Sequence, residues 1–323
     1  MIKMGIMGTG SIAIKMSNTI KEMNSVEMYA IASRDYDKAK EFATEYKYEK
    51  AYGSYEEMAA DPQLDLVYIA TPHSHHYKCA KLALNAGKHV LCEKSFTVNA
   101  DQARKIIKLA KEKGLLITEA IWTRYMPSRK MIDDIIKSGI IGEIISINAN
   151  IGYELSDIKR IHDPDLAGGA LLDVGVYLLN FARMVMGTDI VNMTSAAIFK
   201  NGVDIADNIT LEYPNQKMAA LHCSVSSVHN RMGAIFGTKG YIEVQNINNP
   251  ELIKVFNDNY ELIETHEVPE QISGYEYEVE ACVKAIKNGE SECAAMPHQE
   301  TIAVMEMMDE LRRSWNYEIL DIE

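Results

Sequence analysis

Positive charge is what this sequence most lacks: 33 Lys and Arg stand against 46 Asp and Glu, for a formal net charge of −13. Binding to nucleic acid or to an anionic membrane is therefore not expected, since either needs a clustered positive surface to displace counterions. Cysteine is scarce as well. Its five copies, at positions 79, 92, 223, 282 and 293, are odd in number and form no C-x-x-C pair. That pattern suits reduced thiols in a cytoplasmic protein better than a disulfide framework. No apolar run is expected to reach the ~18 residues of a membrane span. The opening Met-Ile-Lys-Met-Gly-Ile-Met-Gly runs straight into a strand-and-glycine pattern, leaving no room for a cleaved secretory signal. Repeats and low-complexity tracts are also missing, which sets aside solenoids and disordered arrays.

What is present is an ordinary globular composition, 47% hydrophobic and 24% charged, in 323 residues. At about 150 residues per domain that length predicts two domains. Up to residue 120, short apolar strands (2–7, 28–32, 66–70, 89–92 and 115–118) alternate with helical patterns (12–24, 36–46, 75–86 and 99–113). This is the βαβ rhythm of a parallel sheet with right-handed crossovers, its strands apolar throughout because both faces are covered. Beyond residue 120 the period changes. Ile145, Ile147, Ala149, Ile151 and Tyr153 alternate with Ile144, Ser146, Asn148, Asn150 and Gly152, which predicts a one-faced, antiparallel strand. Further strands are expected at 208–213, 218–226, 234–236 and 241–244, and helices near 170–186, 275–288 and 298–314. The expected division is a first domain over 1–120 and a second over 121–323.

Gly8-Thr9-Gly10-Ser11-Ile12-Ala13 follows the first strand and opens the first helix, giving G-x-G-x-x-A where a dinucleotide fingerprint belongs. Gly8 permits the tight turn, Gly10 lets the backbone approach a pyrophosphate, and the phosphates rest on the unpaired N–H groups of the helix start. The bland alternative is a glycine-rich turn in another α/β protein. The second strand ends in Ala32-Ser33-Arg34-Asp35, with Lys38 one helical turn on. An acidic residue there would hold the ribose 2′-hydroxyl of NAD, whereas Ser33, Arg34 and Lys38 suit the 2′-phosphate of NADP. NADP is expected, with NAD possible; the alternative is an exposed Arg34 and an Asp35 that caps the next helix and reaches the ribose.

Thr71-Pro72-His73-Ser74-His75-His76 comes at the carboxyl edge of the strand 66–70, where ligands of doubly wound sheets bind. Thr71, Pro72, His73 and His76 are expected to line the nicotinamide end, or merely to open the following helix. A metal is not expected, because neighbours at i and i+2 on a helix diverge and no Cys, Asp or Glu stands at a zinc-like spacing. Glu93-Lys94-Ser95 ends the strand 89–92, placing Lys94 either in an exposed loop or facing the cofactor cleft. In Gly168-Gly169-Ala170-Leu171-Leu172-Asp173-Val174-Gly175-Val176-Tyr177, Asp173 and Tyr177 are four apart on one expected helical face. Tyr177 is a weak base at its reference pKa of ~10 unless an ammonium such as Lys94 favours the phenolate. Alone, the segment reads as a core helix packing Leu171, Leu172 and Tyr177.

GTGSIA, ATPHSHH, CEKS, EAIWTRYMP and GGALLDVGVY, in that order, make the chain resemble the glucose-fructose oxidoreductase and inositol 2-dehydrogenase (Gfo/Idh/MocA) family over essentially its whole length. EAIWTR with LLDVGVY looks most like the branch of dimeric trans-dihydrodiol dehydrogenases and NADP-linked D-xylose 1-dehydrogenases. The resemblance implies a Rossmann domain, doubly wound around a parallel sheet, followed by an α+β domain with an open, mostly antiparallel sheet that often builds a dimer. It implies that the family's Glu-Lys pair falls on Glu93 and Lys94, its catalytic Tyr or His on Tyr177 and the partner Asp on Asp173. Trp122 and Arg124 would lie near cofactor and substrate. The family usually has Pro after the Lys, where this chain has Ser95.

The implied function is hydride transfer between a nicotinamide and a carbinol carbon, aldose C1 or that of a cyclic trans-diol, with Tyr177, Lys94 and Asp173 as the catalytic set. Two other classes stay open at this point: a glycosidase that uses a tightly held NAD in a closed redox cycle, and a non-catalytic dinucleotide or sugar sensor. The expected partners are a small polyhydroxylated substrate and a second copy of the chain. A homodimer or dimer of dimers would cover an open sheet carrying Ile145, Ile147 and Ile151 on one face and other apolar residues on the opposite one.

Overall fold

A computed structural model describes residues 1–317 and Ile319. The chain forms two compact units, Met1–Tyr125 with Gln271–Glu306, and Met126–Glu270 with Met307–Ile319. In the first, a six-stranded sheet runs in the order β3-β2-β1-β4-β5-β6. Its members are β1 (Ile2–Met7), β2 (Val26–Ala32), β3 (Lys50–Tyr52), β4 (Leu66–Ile69), β5 (His89–Glu93) and β6 (Ile117–Ala120). Every pairing is parallel. Between them run α1 (Ser11–Ile20), α2 (Tyr36–Tyr46), α3 (Tyr55–Ala59), α4 (His73–Asn85) and α5 (Ala100–Lys113). Strand order turns back between β1 and β4, which makes the carboxyl ends of these two strands the switch point where such sheets bind ligands.

Local chemistry explains these elements. Met4, Ile6 and Met7 of β1 and every residue of β4 are fully buried, as continuous apolar runs covered on both faces must be. The Asn99 side chain caps α5 by accepting from Gln102 N, and Gly114, at φ +67, ends it in the left-handed region that glycine enters without a Cβ clash. β3 and α3 carry no apolar run long enough to announce themselves; β3 has only three half-buried residues.

The second unit holds α6 (Pro127–Lys137), β7 (Ile144–Gly152), α7 (Val176–Met186) and seven further strands. These are β8 (Asn192–Lys200), β9 (Val203–Tyr213), β10 (Lys217–Ser224), β11 (Gly233–Gly237), β12 (Gly240–Gln245), β13 (Leu252–Asn257) and β14 (Leu262–Glu267). The sheet order is β14-β13-β12-β11-β7-β10-β9-β8, antiparallel except for β7 beside β10. The fold class is therefore as the sequence implies: a doubly wound parallel sheet and a mostly antiparallel one. Register aligns Leu211, Ala219, Ile147, Ile235, Ile242 and Val255 in one apolar row, and α7 covers that face at β7 and β10.

Two expectations are corrected here. Ile147 and Ile151 are buried on the α7 side and expose nothing, so only Ile145 of the three lies at the surface. The exposed apolar residues of the opposite face are others, discussed below. Second, the helical stretch Pro164–Met186 is long and apolar enough to meet the span criterion. It is a core element instead, with 83% of its apolar window buried inside the protein.

Two helices follow the sheet, α8 (Glu276–Asn288) and α9 (His298–Ser314). Val279, Cys282, Val283 and Ala285 of α8 belong to the same buried cluster as Met4, Ile6, Leu66, Tyr68 and Leu91. The segment 271–306 thus packs with the first unit, where a single cut at residue 120 puts it in the second. An amphipathic helix goes where its apolar face is buried, whatever its position along the chain.

Candidate active site

Gly8 has φ +112, and a Cβ there would stand 2.6 Å from the Ala70 carbonyl oxygen. The first glycine is thus imposed by backbone conformation and by the close approach of the loop after β4. A Cβ on Gly10 would meet nothing within 4 Å, and α1 starts with no side-chain cap and no acidic residue in its first turn. Open space beside the uncapped N–H groups of Ser11 and Ile12 is what a bound pyrophosphate requires. The fingerprint residues fit a dinucleotide.

At the end of β2, Ser33 is buried and its Oγ accepts from Asp35 N at 3.2 Å. The Asp35 carboxylate caps α2 through Oδ1, which accepts from Asp37 N and Lys38 N, and Arg34 is exposed, the arrangement of the alternative reading. Lys38 lies 3.8 Å from Asp35 at the surface. Arg34 has no carboxylate partner among the described residues, and its charge, after burial itself, depresses the pKa of His75. An uncommitted guanidinium beside a buried hydroxyl suits a phosphate better than a diol.

His76 is fully buried, with Nδ1 2.8 Å from Ser95 O and Nε2 2.9 Å from Thr71 O. Burial pushes it down to about 4, so it is neutral and can donate to one carbonyl only. Its ring ties the loop after β4 to the loop after β5, and that task occupies both nitrogens. His73 is buried edge-on to it, with centroids 5.6 Å apart. Thr71 and Pro72 remain half-buried at the edge. The loops after β1, β4 and β5 therefore stand side by side.

Glu93 is buried, accepting from Tyr68 OH at Oε1 and from Lys94 N at Oε2, 3.2 Å. Lys94 is half-buried, and the Lys94–Ser95 peptide is cis. Glu119, quoted in the sequence only as part of a motif, is fully buried and accepts from Phe96 N at 3.1 Å. Burial pushes it up to about 7, against the lowering effect of its hydrogen bonds. Trp122 and Arg124 are engaged by the segment 271–306. Trp122 stacks on Tyr275 with centroids 4.3 Å apart, and Arg124 pairs with Glu300 at 2.7 Å, both side chains largely buried.

In the second unit, Gly168 and Gly169 lie under the turn Lys159–His162: a Cβ on Gly168 would stand 2.3 Å from Ile161 O, and Gly169 has φ +116. The helix expected over 170–186 is not uniform. Leu171–Gly175 forms a π turn, closed by Val176 N on Leu171 O, before α7 begins. Such a turn holds an extra residue, so Asp173 and Tyr177 are not one ordinary α turn apart. Both are buried, and Arg160 Nη1 donates to Asp173 Oδ1 at 2.9 Å. Arg160 is a partner of Asp173 that sequence reading passed over; nothing in its spacing marks it.

A G-x-G-x-x-A turn at the switch point of a parallel sheet, joined to a second unit with a buried Asp and Tyr at a π turn, defines a two-domain NAD(P)-dependent oxidoreductase. The chain belongs to the Gfo/Idh/MocA family: residues 2–120 match its oxidoreductase model with the NAD-binding Rossmann fold, and residues 130–243 match its C-terminal domain. It is 33% identical to mouse trans-1,2-dihydrobenzene-1,2-diol dehydrogenase, covering 97% of this chain and 96% of the relative. It is 36% identical to the D-xylose 1-dehydrogenase (NADP(+)) of Hypocrea jecorina, covering 97% and 91%. Among solved structures, the 3-ketoreductase KijD10 of Actinomadura kijaniata superposes with a TM-score of 0.89 at 24% identity, covering 97% of both chains, which speaks for the fold.

Proposed function

We propose that the protein is an NADP-preferring dehydrogenase acting on the carbinol carbon of a small sugar, at aldose C1, or of a cyclic trans-diol. The carrying observation is that one chain joins a dinucleotide cradle with an uncommitted Arg34 to an Asp173–Tyr177 turn. The names of the two relatives, a dihydrodiol dehydrogenase and an NADP-linked xylose dehydrogenase, point to the same two substrate classes. When bound, the nicotinamide supplies hydride chemistry at its C4.

The chain's own residues have separable tasks. Ser11 and Ile12 N–H groups hold the pyrophosphate, with Thr9 in the same turn. Ser33 and Arg34, with Lys38 nearby, hold the 2′-phosphate. Tyr177 exchanges the proton of the substrate hydroxyl at its phenol oxygen, helped by the positive charge of Lys94. Asp173, its carboxylate oriented by Arg160, accepts a hydrogen bond from a substrate hydroxyl. A homodimer or dimer of dimers through the open sheet belongs to the same reading.

The test is to follow nicotinamide absorbance with NADP and with NAD across a panel of aldoses, inositols and trans-dihydrodiols. Turnover with at least one aldose or diol, faster with NADP, is expected. No turnover with any member, in either direction, would sink the proposal.

A further inference from the structure

Two aspartates in the second unit stand where a folded core least tolerates charge. Asp204 and Asp207 lie on β9 with 3% and 1% of their surface exposed. Three apart in a regular strand, they would point to opposite faces. They share one face because β9 has an extra residue here. Ile198 of β8 pairs with Ala206 while the next residue, Phe199, pairs with Asp204, so Ile205 is bulged out of the ladder. The Ile205 carbonyl is taken up by Val225 N at 2.9 Å.

The two carboxyls have different surroundings. Asp204 Oδ2 accepts from Leu171 N at 2.6 Å, at the start of the π turn. Its Oδ1 lies against Gly169, where a Cβ would come within 2.2 Å. Arg312 of α9 adds a positive charge nearby. Among the described residues Asp207 receives only the Cys223 thiol, at 3.2 Å to Oδ2, and its Oδ1 is buried without a donor. The bulge sets the two carboxyls on one face, near enough for each to perturb the other's ionisation. Two neighbouring carboxylates so deeply buried do not both stay charged; one carries a proton.

We propose that Asp204 and Asp207 share a single proton, held by Asp207, and that the pair is a positioning device that fixes the Gly169–Gly175 turn carrying Asp173 toward Tyr177. The negative charge then stays on Asp204, where Leu171 N–H and Arg312 stabilise it, and the proton sits on Asp207, whose Oδ1 no other donor among the described residues reaches. Burial first, and the Asp204 charge second, push Asp207 up to about 9. Among the described residues, the other titratable or charged groups facing the pair are Cys223 of β10, itself pushed well up by burial, and Arg312 and Tyr317; Asp309 is bound to Arg312 at 2.7 Å. Deprotonating Asp207 would put two adjacent charges under the turn and release Leu171 N–H from its acceptor. The catalytic consequence rests on the function proposed above; the shared proton does not.

The test uses the full-length protein and the isosteric variants Asp207→Asn and Asp204→Asn. The infrared difference between wild type and Asp207→Asn at neutral pH should show a protonated carboxyl band that disappears on titration near the value given above. Leu171 amide exchange should be as slow in Asp207→Asn as in wild type, because the amide supplies a permanent donor to Asp204. In Asp204→Asn the charge moves to Asp207, and exchange at Leu171 should quicken by tenfold or more. Turnover should follow the same order, falling about threefold or less in Asp207→Asn and tenfold or more in Asp204→Asn, with dinucleotide affinity unaltered in both. Absence of the carboxyl band in wild type overturns the shared proton. Equal effects of the two variants on Leu171 exchange overturn the positioning role. If band and exchange behave as expected while wild type oxidises no sugar or diol, the carboxyl pair stands and the proposed reaction falls.

Discussion

The proton path turns on single atoms. Tyr177→Phe keeps the ring, buried at the start of α7, and removes only the hydroxyl. We expect turnover to fall by ~10²-fold or more with dinucleotide affinity nearly unchanged, and the limb of the kcat/KM profile for oxidation that rises with pH, which reports deprotonation of the base, to vanish. Lys94→Ala should be at least as damaging. Asp173→Asn should raise KM more than it lowers kcat, since the amide keeps shape but loses the charge that Arg160 and a substrate hydroxyl engage. Near-normal turnover in Tyr177→Phe with an unchanged profile would transfer the base role to Lys94. At the other end of the cofactor, Arg34→Ala should remove most of an NADP preference through a charge-assisted contact worth ~1.5–3 kcal/mol, measured as the ratio of NADP to NAD dissociation constants. Equal affinities in the unmutated protein would count against the assignment. The legible residues were those in local motifs: the six-residue context of Gly8 announces its tight turn, although the close approach of Ala70, which also demands glycine, comes only with the fold. Arg160, Asp204 and Glu119 were not legible, because their partners lie 13, 33 and 23 residues away in sequence and only the fold brings them together.

At the scale of elements, periodicity found the parallel-sheet core and missed several others, among them the amphipathic helix α6, the interior strand β13 and the edge strands β8 and β14. β1, β4, β5 and α5 stand where apolar runs and an Asn99 cap put them. β8 and β14 escape because edge strands exposed on both sides carry no apolar alternation: all of β14 but one residue is exposed. The assignment of α8 to a unit is invisible to local pattern, since its apolar stripe fits either domain. That helix also carries a testable liability. Glu278 is fully buried, both carboxyl oxygens lack a hydrogen-bond partner among the described residues, and Glu93 is a charged neighbour. Burial first, then the Glu93 charge, raise its pKa well above the usual carboxylate range. A carboxyl raised in the folded state stabilises fully below its unfolded pKa, and that contribution is lost as pH rises toward the folded value. Each pH unit in this window costs up to ~1.4 kcal/mol. Denaturant unfolding of Glu278→Gln should therefore show a shallower loss of stability above about pH 5 than wild type. Identical slopes would mean that Glu278 reaches water or an unseen donor.

The whole molecule poses the question of what covers the open face of the eight-stranded sheet. Register places Thr194, Thr210, Ala220, Asn148 and Ala234 in one row across it, and Met218, Ser146, Phe236, Tyr241 and Phe256 in the next. Met218 and Phe236 are 46% and 38% exposed. Charge appears only toward the flanks, at Glu212 on one side and at the paired Glu243 and Lys254 on the other. A neutral centre of small, aromatic and Met side chains inside a charged rim is the composition of a protein interface, and in a chain of net charge −13 it is also where two copies repel least. A two-fold axis through such a face makes a closed, self-complementary dimer. Sequence alone chose the wrong residues for this argument, since strict alternation does not say which face the helices cover; α7 claims Ile147 and Ile151 and leaves the other side open. Light scattering at micromolar concentration should return at least twice the 36.2 kDa of one chain. Met218→Glu with Phe236→Glu should bring it down to one, because burying two unpaired carboxylates per subunit costs more than so mixed an interface gains. A wild type that stays monomeric under those conditions would leave the face to another partner and defeat the dimer. If the double variant remains dimeric, the contact lies elsewhere on the protein.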